Sequence, residues 1–319
     1  MQAIFVSGLS FGLSLILYPL FINFLNKKQH QQIVSEFSLD SFKAKAKTPS
    51  LGGVLFVLIP VISLVVLIPD SLYDTRIMLV LLVYLAYGLI GFIDDYKIIL
   101  ERNNKGLSAR VKFMMQLVLA IIFYFVFRQS LSTSIDLPFT DYSIDLGLIY
   151  ALFVLFIFTG SSNAVNLTDG MDGLAGGTSL IALIPFAVFS YIQNEIYVFV
   201  FICALMASLI AYLWFNKHPA KIIMGDTGAL ALGAVLAAIA LVLKQEFSFV
   251  FIMAVFIYET LCVMIQIGSV KLFKKRVFKY TPIHYSYTLS GWKETNVVYF
   301  FWFLGFVAML IGLWLGVNL

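Results

Sequence analysis

Long apolar stretches restrict the fold of this chain more than any other feature of its sequence. A helix needs about 20 mostly apolar residues to cross a bilayer, and ten segments reach or approach that length. We therefore predict an all-α, polytopic integral membrane protein with about ten transmembrane helices, in a single domain over residues 1–319. The predicted spans lie near residues 4–25, 51–69, 77–94, 111–127, 146–165, 175–192, 196–215, 227–243, 247–267 and 297–316.

The composition agrees with this class and excludes others. Of the 319 residues, 61% are hydrophobic and 12% are charged. Soluble domains are about 45–50% apolar and about 25% charged, so a soluble enzyme, a disordered chain and a nucleic-acid-binding protein are excluded. Cys203 and Cys262 both lie within apolar runs, which excludes a disulfide framework or a Cys-x-x-Cys metal site. The first span has no basic residues before it and no small-residue cleavage site, so we expect it to be retained rather than removed as a signal peptide.

Basic residues are concentrated in alternate loops. Eighteen of the 21 Lys and Arg residues lie in the loops at 26–50, 95–112, 163–174, 216–226 and 268–296. The positive-inside rule places these loops in the cytoplasm. Both termini are therefore predicted on the extracytoplasmic side.

Three of the aspartates on the predicted cytoplasmic side stand where a predicted span begins or ends. Asp94 and Asp95 are adjacent at the end of the third span, and Asp226 opens the eighth. Adjacent carboxylates repel unless a cation or a basic side chain offsets their charge, and they suit a hard cation such as Mg²⁺ that also takes substrate phosphates. From these residues alone, a polar helix end at Asp94–Asp95 stays open as an alternative, and a helix N-cap is the simpler interpretation of Asp226.

The densest polar segment, residues 163–177, contains no Lys or Arg. It holds two Asn, two Asp and four Gly. Amide side chains and the backbone N–H groups that glycines leave accessible suit a ribose, a base edge or a phosphate. A turn between two spans is the alternative, but a turn does not need this length, so we predict a ligand-binding segment.

Two basic loops and one histidine are further candidate functional groups on the predicted cytoplasmic side. Lys43, Lys45 and Lys47 precede a Gly-Gly helix start, which suits anions; a topogenic role is the alternative. The basic stretch at 271–279 has the same ambiguity near lipid headgroups, and His284 follows it. Metal-binding acids, basic loops and a polar segment on one face are typical of phosphoryl transfer, and the membrane setting indicates a lipid-borne acceptor.

These motifs resemble the phospho-N-acetylmuramoyl-pentapeptide transferases, members of the polyprenyl-phosphate N-acetylhexosamine-1-phosphate transferase superfamily. The resemblance runs through nearly the whole chain. It implies ten spans, outward termini and a cytoplasmic site in the bacterial plasma membrane. Its markers are Thr48–Gly53, Gly91–Tyr96, Asn163–Gly173, Pro219–Lys221, Met224–Gly228, and Pro282–His284 with Gly291-Trp292.

The resemblance also implies a reaction and its participants. Phospho-MurNAc-pentapeptide would pass from UDP-MurNAc-pentapeptide to undecaprenyl phosphate, giving lipid I and UMP, with Mg²⁺ as the cofactor. The expected partners are these two substrates and membrane lipids, with a homodimer as a further expectation and no nucleic acid.

By motif position, the resemblance implies that Asp226 is the metal ligand, with Asp94 and Asp95 beside it. One of that pair would deprotonate the lipid phosphate, or act as nucleophile in a two-step scheme. His284 matches the first of three histidines and is the fourth candidate catalytic residue. The residues matched to substrate binding are Lys45, Ser50, Asn163, Asn166, Asp169, Gly170, Met171, Asp172, Asn216 and Gln266.

Several positions depart from the family pattern, although the three aspartates are intact. The second and third histidines are Tyr285 and Ser286, and an aromatic residue expected before Met224 is Ile223; the other departures are Phe42, Lys47 and Ala229. Three alternatives therefore stay open: transfer of GlcNAc-1-phosphate or another UDP-sugar, a catalytically silent paralogue, and a transporter. Against a transporter, we note that transporters place ionisable groups near the midplane, whereas the acids here, apart from Glu259, lie at loops or helix ends.

The distribution of basic residues gives a topology prediction. Cysteines introduced by Leu72→Cys and Pro138→Cys should react with an impermeant thiol reagent added to intact cells, whereas those from Asn104→Cys and Lys275→Cys should not. The measurement is labelling in sealed and in permeabilised cells, with the unmodified chain as control. Labelling of the second pair in sealed cells would reverse the orientation.

Overall fold

The computed structural model describes residues 1–28, 48–101, 106–140 and 142–318. A 3-10 helix, Pro69–Tyr73, joins the second and third α-helices. The α-helices of the described residues are α1 (Gln2–Lys27), α2 (Gly53–Leu67), α3 (Thr75–Glu101), α4 (Ala109–Ser130), α5 (Ile149–Thr168), α6 (Leu174–Ile192), α7 (Ile196–Asn216), α8 (Gly225–Val242), α9 (Glu246–Ile252), α10 (Ala254–Phe273), α11 (Ile283–Thr288) and α12 (Glu294–Val317).

The helical membrane class predicted from the sequence is confirmed. Within the described ranges, nine helices are long and apolar enough to cross a membrane, and α2, with 15 residues, is apolar but shorter. Large apolar side chains cover the outer surface of the bundle, including Phe125, Phe156 and Trp314. In a bilayer these side chains face lipid, since hydrocarbon is the solvent there.

Three helix boundaries differ from the predicted spans. Helix α3 continues past Asp94 and Asp95 to Glu101, so the two aspartates lie inside a helix rather than at its end. Helix α5 continues to Thr168, and the predicted span at 247–267 is divided at Met253 into α9 and α10. Apolar length predicts which residues cross the bilayer, but helix ends and breaks depend on the neighbours that satisfy the backbone and the polar side chains.

A small β-hairpin between α4 and α5 departs from the predicted all-α content. Strands β1 (Ser134–Asp136) and β2 (Ser143–Asp145) pair antiparallel, with Ser134 opposite Asp145. Both strands have the sequence Ser-Ile-Asp, whose polar flanks suit a loop outside the bilayer. The Thr133 hydroxyl and the Gly147 N–H donate to Asp145 and lower the pKa of that carboxyl.

Helix α8 is the centre of the bundle. All its residues from Thr227 to Val242 are buried, and it packs most extensively against α3 and α5. Its sequence is rich in Ala and Gly, and small residues let helix backbones approach closely inside a membrane. At Gly233 the α5 backbone at Ser161 and Ser162 occupies the place of a Cβ atom.

Both termini lie on the face of the bundle where α7 begins. Helix α1 runs parallel to α7, since Ser10 Oγ donates to the Ala204 carbonyl at 2.8 Å and Ser14 Oγ lies 2.7 Å from Ser208 Oγ. The carbonyl of Asn318, just after α12, accepts the Phe139 N–H from the hairpin loop. A common face for the termini agrees with the predicted topology, and its extracytoplasmic location stays a prediction.

The contact at Gly233 gives a stability prediction. Gly233→Ala should lower the thermal unfolding midpoint in detergent, because overpacking costs about 1–3 kcal/mol. Gly160→Ala on α5 is the matched control: it has open space around the new methyl group, and Ala is favoured over Gly in a helix by roughly 1 kcal/mol. An unchanged midpoint for Gly233→Ala would contradict the close approach of α5 and α8.

Candidate active site

Asp95 joins α3 to the first turn of α8. Its carboxylate accepts the Asp226 N–H at 3.0 Å, the Thr227 N–H at 2.9 Å and the Thr227 hydroxyl at 2.6 Å. Asp95 is buried, and it acts as an N-cap supplied by another helix, because the first N–H groups of a helix have no intrahelical acceptor. Both of its oxygens are therefore engaged in holding Asp226 in place.

Asp94 and Asp226 converge on the ammonium group of Lys112. Lys112 Nζ lies 2.9 Å from Asp94 Oδ2 and 2.9 Å from Asp226 Oδ2. The other oxygen of Asp94 accepts the Leu107 N–H at 2.5 Å. Asp94 is nearly buried, whereas about a quarter of the Asp226 and Lys112 side chains is exposed. The two Oδ2 atoms thus form a pair of carboxylate oxygens that solvent reaches from the Asp226 side.

The segment at 48–53 lies along the chain that leads into α8. Ile223 N–H donates to the Pro49 carbonyl, and Gly52 and Gly53 donate to the Ile223 and Met224 carbonyls at 2.8 and 2.9 Å. Gly225 then turns the chain into the helix with φ of +68°, a conformation that favours glycine. A Cβ atom at this position would collide with Asp95 Oδ2 and the Ser50 hydroxyl, so Ser50 lies beside the Asp95 carboxylate.

The predicted polar segment divides into a helix end and a short turn. Asn163 and Asn166 belong to the last turns of α5, and Asn163 donates to the Thr159 carbonyl of the same helix. Asn216, at the end of α7, accepts the Gly173 N–H at 2.9 Å and donates to the Ile222 carbonyl at 2.8 Å. Asn216 therefore links the turn at 169–173 to the chain that carries Asp226.

Asp172 has two partners that sequence reasoning missed. Its Oδ2 accepts the Ala220 N–H at 3.1 Å and lies 2.9 Å from His218 Nδ1, while its own N–H donates to Glu294 at 3.0 Å. One potential ligand atom from each of Asp172, His218 and Glu294 lies within 4.8 Å of the others. The position of His218 between Asn216 and the Pro219–Lys221 marker was an available signal; no local pattern indicated Glu294.

His284 forms a buried pair with Glu259 of α10. His284 Nδ1 lies 3.0 Å from Glu259 Oε1, the Ile283 N–H donates to Glu259 Oε2 at 2.8 Å, and both side chains are fully buried. In the described part of the chain, His284 Nε2 has no hydrogen-bond partner, and it lies against the α-carbon of Gly170. The pair thus places a ring nitrogen directly beside the turn at 169–173.

The two residues that replace family histidines maintain the loop. Tyr285 donates to the Gly170 carbonyl at 3.3 Å, and burial raises the pKa of its phenol. Ser286 Oγ donates to the Tyr280 carbonyl at 2.6 Å and accepts the Tyr280 N–H at 2.9 Å. Gln266 likewise uses its amide on the backbone of Val277 and Phe278.

The structure brings most of the candidate residues to one face, in two adjoining centres. The carboxylate centre comprises Asp94, Asp95, Lys112 and Asp226, and the turn centre comprises residues 169–173 with Asn216, His218 and His284; the loop at 217–224 joins them. Met171 of the turn is buried in an apolar cluster with Leu174 and Ile283. Lys45 lies outside the described residues, as do Lys43, Lys47, Phe42 and Asn104.

The carboxylate centre has the donor set of a magnesium site. Mg²⁺ takes one or two carboxylates and keeps several waters or phosphate oxygens. Asp94 and Asp226 offer two converging oxygens that already hold a cation, and the exposed part of Asp226 leaves room for solvent ligands. Asp95 has its oxygens engaged by α8 and is less suited to direct ligation.

Comparison with known proteins identifies relatives of the whole chain. The family model described as glycosyl transferase family 4 matches residues 77–244. The phospho-N-acetylmuramoyl-pentapeptide-transferase of Staphylococcus aureus strain bovine RF122 / ET3-1 is 43% identical over 314 residues, which cover 97% of this chain and 98% of the relative. The proteins of the same name from strains MSSA476 and MW2 have the same identity and coverage.

The buried Glu259–His284 pair gives a second stability prediction. His284→Ala should lower the thermal unfolding midpoint strongly, because it leaves the buried Glu259 carboxyl without its hydrogen-bonded side-chain partner, which costs about 1–3 kcal/mol or more. Adding Glu259→Gln should restore part of the loss, since the remaining group is then neutral. Tyr285→Phe removes one hydrogen bond to Gly170 and serves as the control. Equal midpoints for His284→Ala and Tyr285→Phe would contradict an energetically important pair.

Proposed function

We infer the function of this chain from its family: it belongs to the glycosyl transferase family 4 and to the phospho-N-acetylmuramoyl-pentapeptide transferases. It transfers phospho-MurNAc-pentapeptide from UDP-MurNAc-pentapeptide to undecaprenyl phosphate, giving lipid I and UMP. This reaction is the first membrane step of peptidoglycan synthesis, on which cell-wall biogenesis, cell shape and cell division depend.

The convergence of Asp94 and Asp226 on one cation is the observation that carries this function. Asp94 lies in the last part of α3 and Asp226 in the first turn of α8, and about a quarter of the Asp226 side chain is exposed to water. Phosphoryl transfer depends almost entirely on positioning the reacting groups and neutralising charge around the phosphates. A paired-carboxylate site beside a polar turn provides both.

Asp226 and Asp94 would hold Mg²⁺, which when bound supplies charge neutralisation and polarises phosphate oxygens. Asp95 contributes by fixing the start of α8, and with it the position of Asp226. Within the pair at 94–95, Asp94 is therefore the residue available to act on substrate. It takes the proton of the lipid phosphate, or attacks the donor phosphorus and displaces UMP in the two-step scheme.

The turn centre is assigned to the donor. The turn and its neighbours offer carboxylates, amides and backbone N–H groups, which suit a nucleoside. The residues assigned to this role are Asn166, Asp169, Gly170, Asp172 and Asn216. Gln266 and Met171 support this turn and the basic loop through backbone and apolar contacts. Because the loop at 217–224 joins the turn centre to the carboxylate centre, a donor that spans both places its diphosphate at Asp94 and Asp226.

We place the protein in the bacterial plasma membrane with the two centres facing the cytoplasm. The 18 basic residues on that side support this orientation, and the cytoplasm supplies a UDP-linked donor. Membrane lipids contact the apolar outer surface. The homodimer stays a prediction.

The test is transfer by the purified protein with UDP-MurNAc-pentapeptide and undecaprenyl phosphate, with and without Mg²⁺. Asp226→Asn should insert and fold but lose transfer, because neutralising a metal ligand removes several kcal/mol of charge stabilisation. Asp70→Asn, an exposed aspartate at the opposite face, is the control and should retain activity.

Two outcomes would overturn the proposal. Near-normal turnover of Asp226→Asn at saturating Mg²⁺ would remove the metal assignment. If the lipid-linked product forms faster from UDP-GlcNAc than from UDP-MurNAc-pentapeptide, the donor is UDP-GlcNAc and the proposed donor is wrong.

A further inference from the structure

Lys112 stands where the assigned metal would bind. It lies in the first turn of α4, and its ammonium group contacts Asp94 Oδ2 and Asp226 Oδ2 at equal distances of 2.9 Å. These are the two oxygens that face each other, since Leu107 engages the remaining oxygen of Asp94. The sequence motifs gave this lysine no role.

The charge balance of the carboxylate centre explains why a lysine is there. Asp94 and Asp226 place two carboxylates close together, and in the described part of the chain the ion-pair partner of both is Lys112. Two unit charges about 4 Å apart repel by roughly 4 kcal/mol at an effective dielectric constant of 20. Without a cation the two converging carboxylates would separate, so Lys112 keeps the ligand pair assembled.

A lysine in this position also competes with a metal. Mg²⁺ demands oxygen ligands at about 2.0–2.1 Å in near-octahedral geometry, so an ammonium group between the same two oxygens obstructs it sterically and repels it electrostatically. Helix α4 provides no compensation, because the N-terminus of a helix is unfavourable for a cation. The side chain is long, and a quarter of it is exposed, which leaves it free to move toward solvent.

We propose that Lys112 is an exchangeable counter-cation: it holds Asp94 and Asp226 together before metal binds, leaves them when Mg²⁺ binds, and then pairs with a phosphate of the substrate. This inference rests on the proposed function, which supplies both the metal and the phosphates. It makes the lysine a positioning residue in one state and a phosphate ligand in the next.

The decisive measurement is metal binding without substrates. Mn²⁺ binding to the purified protein in detergent would be followed by the electron paramagnetic resonance signal of free Mn²⁺, with Mg²⁺ as competitor. Lys112→Met should bind Mn²⁺ at least about tenfold more tightly than the unmodified chain, a difference of about 1.4 kcal/mol. Lys97→Met is the matched control, since Lys97 is a partly exposed lysine paired with Glu101 on α3, and the Mn²⁺ affinity of this variant should equal that of the unmodified chain.

If Lys112 has only a structural role, its replacement should not increase the affinity for Mn²⁺. If Lys112 only kept the carboxylates in position, Lys112→Met would bind Mn²⁺ equally well or more weakly, and the exchange would be refuted. Lys112→Gln retains a hydrogen-bond donor without the charge, so it tests the same point if Lys112→Met does not fold; it too should bind more tightly, and Lys112→Arg should not.

The proposed contact between Lys112 and a substrate phosphate is tested separately, by steady-state kinetics. The KM for undecaprenyl phosphate or for the UDP-linked donor should rise about tenfold or more in Lys112→Gln, despite its tighter metal binding; unchanged KM values for both would refute the phosphate contact. Failure of the proposed function can be distinguished from failure of the lysine exchange alone. Mn²⁺ binding that is absent from the unmodified chain, or insensitive to Asp226→Asn, would remove the metal site itself and the exchange with it.

Discussion

The hydrogen bonds from the start of α8 to Asp95 are the interaction on which the site depends. A buried carboxylate is costly unless it is hydrogen-bonded, and the first N–H groups of a buried helix need acceptors. Asp95 and α8 meet both needs at once. The contact fixes the register of α3 against α8. Asp94 precedes Asp95 in α3, and Asp226 precedes Thr227 in α8, so this register brings both Asp94 and Asp226 to Lys112.

The same arrangement recurs at the other buried acids of this face. Four carboxylates each accept a backbone N–H from a different segment, so that every acid holds a loop or a helix start in place: Asp94 with Leu107, Asp95 with Asp226 and Thr227, Asp172 with Ala220, and Glu259 with Ile283. Such bonds stabilise charge in a low-dielectric setting where unpaired ions are expensive. They hold the loops of the site in place in addition to the apolar cluster of Met171, Leu174 and Ile283.

Much of the fold follows from the sequence because the bilayer imposes few solutions. Every backbone polar group within hydrocarbon must be satisfied internally, so apolar segments of about 20 residues become helices, and the predicted spans agree with the helices to within a few residues in most cases. The common face of Asp94, Asp226 and the segment at 163–177 follows from counting spans. The apolar spans do not predict where each helix ends. Helices α3 and α5 continue beyond the apolar residues, and the single span predicted at 247–267 is divided into α9 and α10.

The sequence by itself determined the class of the protein, the number of spans to within one short helix, and the residue types available at the predicted cytoplasmic end. Only the tertiary structure decided which groups are partners. It separated Asp95, engaged by α8, from Asp94, which faces Asp226, and it introduced Lys112, His218 and Glu294 as contacts. These pairs join residues far apart in the chain, such as Lys112 and Asp226, separated by 114 positions. Apolar length and motif spacing act along the chain, whereas a hydrogen bond requires atoms about 3 Å apart, and that distance is set by the packing of α3, α4 and α8.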